Sequence, residues 1–229
     1  MVNPRSHKDG AVYVFEAPVR IWHWVMAIAM VGLAVTGYFI GAPLPAVQGE
    51  ASEHFMMGYI RFAHFACAYV FTIFFVLRVY WAFVGNKFAR EMFLVPASLL
   101  KAEFWGGFID QLLYYAFLKQ SGRGYNGHNP MAAMAMFFMY TLGTVFMIFT
   151  GFALYGEGTG MNSWQYKLFS SWVIPLFGQS QDVHTWHHVG MWYLVLFSMV
   201  HMYMVVREDI FQKETVISTM INGWRVPKP

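Results

Sequence analysis

Polar and apolar residues separate along this chain on the scale of whole segments. No Asp, Glu, Lys or Arg occurs from Ile21 to Gly49, from Phe62 to Leu77, from Gly124 to Gly156 or from Val183 to Val206. A helix needs about 20 predominantly apolar residues to cross the hydrocarbon of a bilayer. Three runs meet that length outright. The second is 16 residues long, and the arginines flanking it, Arg61 and Arg78, have stems long enough to reach the interfaces. The pattern predicts four transmembrane helices near 19–40, 60–83, 131–154 and 187–206, within a single domain of residues 1–229. The first run is too long for the apolar core of a cleaved signal peptide, and no small-residue cleavage site follows it. It is therefore read as a retained span.

The connections differ in kind. Residues 41–59 are short and punctuated by Pro and Gly. Residues 84–130 hold "KAEFWGGFIDQLLYYAFLK" (101–119), which mixes aromatics with spaced charges and predicts an amphipathic helix on the interface. Residues 155–186 hold "WQYKLFSSWVIPLF" (164–177), an aromatic stretch suited to an interface or a partner protein. The predicted fold class is an all-α membrane protein, a four-helix bundle with interfacial helices in its connections.

Composition agrees. Charged residues make up 12% of the chain, against about 25% in soluble domains, so a soluble or nucleic-acid-binding protein is not indicated. The net charge of +3 matters less than its distribution. Thirteen Lys and Arg fall at the termini, at the entry of the first span and in the long middle connection; only Arg61 and Lys167 fall on the other side. The positive-inside rule then places both termini and the middle connection in the cytoplasm.

Histidines carry the candidate chemistry, because ionisable groups within spans are costly and usually functional. His187 and His201 are 14 residues apart, four turns less about 40°, so they share one helix face about 21 Å apart. His188 points to roughly the opposite face, and His184 lies about 100° away. His23 opens the first span from the cytoplasm, and His64 opens the second from outside. Depth therefore pairs His64 with His187 near the outer surface and His23 with His201 near the inner one. Two bis-histidine sites suit two low-spin haems that cycle electrons without binding a substrate at iron. The single cysteine, Cys67, rules out a C-x-x-C-H attachment, so the haems would be non-covalent, b-type.

Secondary candidates follow. Arg20 and Arg61 each precede a ligand histidine by three residues, on the same helix face. Arg78 lies 14 residues beyond His64. All three are possible contacts for haem propionates. Gly32, Gly37, Gly143 and Gly151 permit close approach of helices or of a porphyrin. His128 and Asn129, ahead of Pro130, are placed to cap the third span or to meet a propionate or a quinone. Glu16 and Arg20 complete the set of possible quinone contacts. His184 and His188 are read as outer-surface residues facing a partner. The methionines at the start of the third span, Met131, Met134, Met136 and Met139, are read as filling irregular gaps, not as copper ligands.

Several strings, "FEAPVRIWHW" (15–24), "MGYIRFAHF" (57–65), "RVYWAFVGN" (78–86), "GHNPMA" (128–133), "DVHTWHHVGMW" (182–192), "HMYMVVREDI" (201–210) and "TVISTMINGWR" (215–225), resemble the b-type cytochrome subunit of membrane-bound uptake NiFe hydrogenases. That family is related to the di-haem cytochrome of formate dehydrogenases. The resemblance covers nearly the whole chain. It implies a multi-pass anchor in the bacterial cytoplasmic membrane for periplasmic small and large hydrogenase subunits. Electrons would pass from the small subunit through two b haems to the quinone pool. It implies ligand roles for His23, His64, His187 and His201, and a place for His184 close to the small subunit. The position of His188 need not be histidine in the family. Whether quinone is reduced on this chain stays open here. So do a different donor, such as formate dehydrogenase, and, from another class, a histidine-relay transporter of protons or metals.

Overall fold

The computed structural model describes residues 10–45, 49, 54–212 and 215–226. Arg5, Lys8, Lys213 and Lys228, which enter the topology argument, and His7 lie outside the described residues. In chain order the elements are β1 (Val12–Tyr13), α1 (Ala17–Gly41), α2 (Met56–Val84), α3 (Lys87–Arg90), α4 (Val95–Ser98), α5 (Ala102–Tyr115), α6 (Pro130–Met134), a π-helix (Ala135–Thr141), α7 (Leu142–Thr159), a second π-helix (Tyr166–Ser170), α8 (Ser171–Phe177), α9 (Ser180–Gln212), α10 (Val216–Asn222) and β2 (Trp224–Arg225).

Among the described residues four helical segments are long and apolar enough to span a membrane: Ala17–Gly41, Met56–Val84, Pro130–Thr159 and Ser180–Gln212, of 25, 29, 30 and 33 residues. Each overlaps one charge-free run. The chain is a multi-pass, all-α membrane protein. Its spans expose Ile28, Val31, Phe62, Ile73, Phe83, Leu196 and Met199, which suits a lipid solvent where apolar side chains need no cover. The third span starts at Pro130 behind Asn129, whose Oδ1 accepts the Ala132 N–H at 2.7 Å. Proline at the first helical position behind an Asn cap is a strong start signal.

Packing groups the chain into two units. The first comprises Met1–Trp24, Phe75–Thr141 and Phe197–Pro229. Here β1 and β2 pair antiparallel, Val12 with Arg225 and Tyr13 with Trp224. Gly223, at φ +89°, turns the chain so that its carbonyl accepts the N–H of Val14 at 2.8 Å. The paired ends bury Val14, Phe15 and Val19 against Phe88 and Ala89. Glu16 fastens this clasp, accepting from Trp81 Nε1 and from the Asn86 backbone, each at 2.9 Å.

The expected interfacial helix is α5, shorter than the 101–119 stretch. It presents Trp105, Ile109, Leu112 and Leu113 outward and buries Gln111 and Tyr114. It ends where Phe117 takes a left-handed φ of 60°, a conformation unfavourable for a bulky residue. Phe117 thereby joins Tyr114, Tyr115 and Phe211 around the buried Arg207 guanidinium, at 4.5–5.6 Å from the ring centroids. Cation–π contact is worth most where water is excluded. Burial and the neighbouring Glu208 push the Tyr115 phenol up to about 12.

The second unit comprises Val25–Phe74 and Leu142–Leu196. Its aromatic stretch folds as the second π-helix and α8, and exposes Trp164, Leu168, Trp172 and Leu176 as a stripe at fourfold spacing. The opposite face buries Val173 against Ala153 and Val183, and Ser170 Oγ donates to the Ala153 carbonyl at 2.6 Å.

Candidate functional site

In the second unit, His64 on α2 and His187 on α9 are each received by a Thr–Gly pair from another helix. Thr36 Oγ1 on α1 lies 2.9 Å from His64 Nδ1. Thr150 Oγ1 on α7 lies 2.8 Å from His187 Nδ1. Each hydroxyl also donates to the carbonyl four residues back in its own helix, Gly32 at 2.6 Å and Phe146 at 2.8 Å. A hydroxyl has one proton. With that proton given to a carbonyl, the oxygen accepts from the histidine, so both rings carry their proton on Nδ1. The Nε2 lone pair is then free for a metal.

The adjacent glycines make room for these rings. A Cβ on Gly37 would lie 3.3 Å from both His64 Cε1 and Met191 Sδ, and a Cβ on Gly151 would lie 3.2 Å from His187 Cε1. Gly32 and Gly143 serve helix packing instead, against Cys67 and against Leu194 and Tyr193.

In the first unit, the His23 and His201 rings have centroids 6.5 Å apart and planes at 50°. Two imidazoles bonded to opposite sides of one metal atom, at about 2 Å each, have centroids roughly 6 Å apart. His201 stacks on Phe197, one turn back on α9, at 5.8 Å and 20°; Phe197 stacks on Tyr140 at 5.7 Å and 27°. Tyr140 belongs to the first π-helix, where Thr141 Oγ1 reaches back five residues to the Met136 carbonyl at 3.0 Å. The wider turn re-aims the side chains of its segment, as π-segments at functional sites often do. His23 Nδ1 is buried and has no hydrogen-bond partner among the described residues.

No cluster of three or more His, Cys, Asp or Glu able to hold a metal occurs among the described residues. His23 and His201 face each other as a pair, the number of protein ligands that a haem iron can take. Free Nε2 atoms, glycine clearance and the 6.5 Å spacing all fit haem.

The remaining candidates divide. Arg78 is 6% exposed; one terminal nitrogen donates to the Ala89 carbonyl at 2.7 Å, and the other has no partner among the described residues. Arg20 donates through one terminal nitrogen to the Ile221 carbonyl, while its Nε is buried and unpartnered among the described residues. Arg61 is exposed. Asn129 is engaged at both ends, Oδ1 as the helix cap and Nδ2 donating to the Tyr115 hydroxyl at 3.1 Å. His128 is held by Glu91, whose Oε2 accepts the His128 backbone N–H at 2.9 Å and lies 3.5 Å from its Nδ1. His184 is exposed. His188 accepts from Trp192 Nε1 at 3.2 Å and packs against Gly41.

Sequence reasoning missed Thr36, Thr150, Phe197, Tyr140 and Glu91. A signal for the first two was present, since Thr-Gly followed by an aromatic recurs at 36–38 and 150–152.

The model of the family described as prokaryotic cytochrome b561 matches residues 14–223. The chain is 59% identical over 224 residues to the probable Ni/Fe-hydrogenase B-type cytochrome subunit of Azotobacter vinelandii, covering 98% of this chain and 92% of that one. It is 56% identical over 218 residues to the protein of the same name from Cupriavidus necator, covering 95% and 88%. It is 50% identical over 222 residues to the probable Ni/Fe-hydrogenase 1 B-type cytochrome subunit of Escherichia coli, covering 94% and 91%. With four apolar spans and a family match over almost its full length, the chain belongs to the prokaryotic cytochrome b561 family.

Proposed function

We propose that this protein is the electron-transfer subunit and membrane anchor of a NiFe hydrogenase in the bacterial cytoplasmic membrane, with periplasmic small and large hydrogenase subunits as its partners. His64 and His187 would hold an outer b haem and His23 and His201 an inner one, and the two haems would supply one-electron transfer between the small subunit and quinone. The observation that supports this reading is the spacing of the His23 and His201 rings, which leaves room for one metal between them, beside the matching Thr–Gly surroundings of His64 and His187. The names of the curated relatives supply the donor.

Haem supplies a one-electron couple that changes oxidation state without gaining or losing an axial ligand. The residues of this chain do the rest. His64 and His187 offer Nε2 because their Nδ1 protons are spent on Thr36 and Thr150. Gly37 and Gly151 keep the space beside them open. Arg78 is a buried cation with one terminal nitrogen unpartnered among the described residues, and a propionate of the inner haem would supply the anion it requires. Arg20, whose Nε is unpartnered among the described residues, and the exposed Arg61 would be further propionate contacts. Glu16 and Asn129 have their polar atoms committed to the fold. His128, backed by Glu91, is thus the group best placed to hydrogen-bond a quinone at the cytoplasmic face. His184 and His188 lie toward the docking side for the small subunit.

The purified protein tests this through a dithionite-reduced minus oxidised spectrum with a pyridine haemochrome assay. The expected result is two non-covalent b haems per chain. A protein purified without haem, or with covalent haem, overturns the reading. For the quinone contact, His128→Ala should slow quinol formation while both haems remain; an unchanged rate removes His128 from that role.

A further inference from the structure

The two histidine pairs are oriented by different physics. Both outer histidines donate Nδ1–H to a threonine oxygen whose own proton is fixed on a backbone carbonyl. A histidine that donates its distal N–H to an acceptor gains basicity at the ligating nitrogen. A more basic axial ligand stabilises the more highly charged, ferric iron and lowers the reduction potential. At the inner site His23 Nδ1 has no such acceptor among the described residues, and His201 is oriented by the Phe197–Tyr140 stack. Stacking fixes a ring plane without drawing on its N–H.

Resting on the di-haem reading above, we infer that Thr36 and Thr150 are positioning residues that make the outer haem the lower-potential member of the pair. One electron at a time, oxidation of the outer ferrous iron and reduction of the inner ferric iron is then downhill, with no proton exchanged in the step. The direction of flow is set by two hydroxyl groups that never touch iron.

The test is an equilibrium redox titration, followed in the visible band, of the purified full-length protein. Wild type, His187→Ala, Thr36→Val, Thr150→Val and the serine variants at both positions are compared. His187→Ala should leave only the higher-potential component. Each valine variant should raise the lower-potential component by on the order of tenfold in its ferrous-to-ferric ratio, about 59 mV for a one-electron couple. The higher component should stay in place, and serine should restore the wild-type value. The inference is overturned if the component surviving in His187→Ala is the lower one, an ordering that can be read even if the valine variants fail to bind haem. It is also overturned if the valine variants retain both haems with an unmoved lower component. A wild-type haem count other than two instead removes the di-haem reading itself, which the haemochrome assay decides separately.

Discussion

Each outer histidine meets a threonine and a glycine of another helix, whereas His201 rests on a column of rings and His23 keeps a nitrogen that is unpartnered among the described residues. The contrast separates two ways of holding an imidazole. A hydrogen bond through Nδ1 fixes orientation, tautomer and basicity together. A stacked ring fixes the plane alone. Two sites with the same ligand chemistry therefore need not have the same electronic properties, and the difference lies in residues that do not touch the metal.

The largest expected effect breaks the outer site by filling its space. Gly151→Leu drives a branched side chain into the position where even a Cβ would be 3.2 Å from His187. It should abolish the outer haem while the inner spectrum persists; retention of both haems would show that Gly151 does not set the clearance. Next, Phe197→Ala removes the ring beneath His201. Truncating a buried Phe typically costs about 3–5 kcal/mol. The variant should lower the thermal midpoint and alter the low-temperature EPR signal of the inner haem, which reports the angle between axial ring planes, without moving the outer one. Glu16→Ala leaves Trp81 Nε1 and the Asn86 N–H without their shared carboxylate. Hydrogen bonds to charged groups are worth about 1.5–3 kcal/mol each. Hydrogen exchange at β1 and α3 should rise, with the outer haem spectrum unchanged. The smallest effect is a control. Lys119 and Arg123 hold the Asp110 carboxyl below its usual range, but both cations are exposed, and Asp110→Asn should leave haem content and thermal midpoint unaltered.

The spans were legible because their signal is coarse, and the four central histidines stood out as candidates for the same reason. Absence of charge over a membrane's thickness marks a span, and helical phase separates His187 and His201 from His184 and His188. The cap at Asn129 was legible from Asn ahead of Pro. Legibility failed where the signal is a common residue in a common place. Threonine is unremarkable in an apolar helix, so Thr36 and Thr150 gained meaning only once their partners were seen. The β1–β2 clasp is two residues per strand, too short to show a period. The first π-helix follows from tertiary fit, not from a local pattern. It is what brings Tyr140 onto Phe197. Arg78 was expected to reach toward a propionate, but its burial between the Ala89 carbonyl and Met92 depends on a turn remote in sequence.

The central claim is the pairing of histidines into two independent haem sites. It is tested most directly by haem content and reduced spectra of the four single alanine variants at His23, His64, His187 and His201. The account predicts one haem left in each, with His64→Ala and His187→Ala sharing one residual spectrum and His23→Ala and His201→Ala sharing the other. If the His23 and His64 variants lost the same spectral component, the pairing would be wrong.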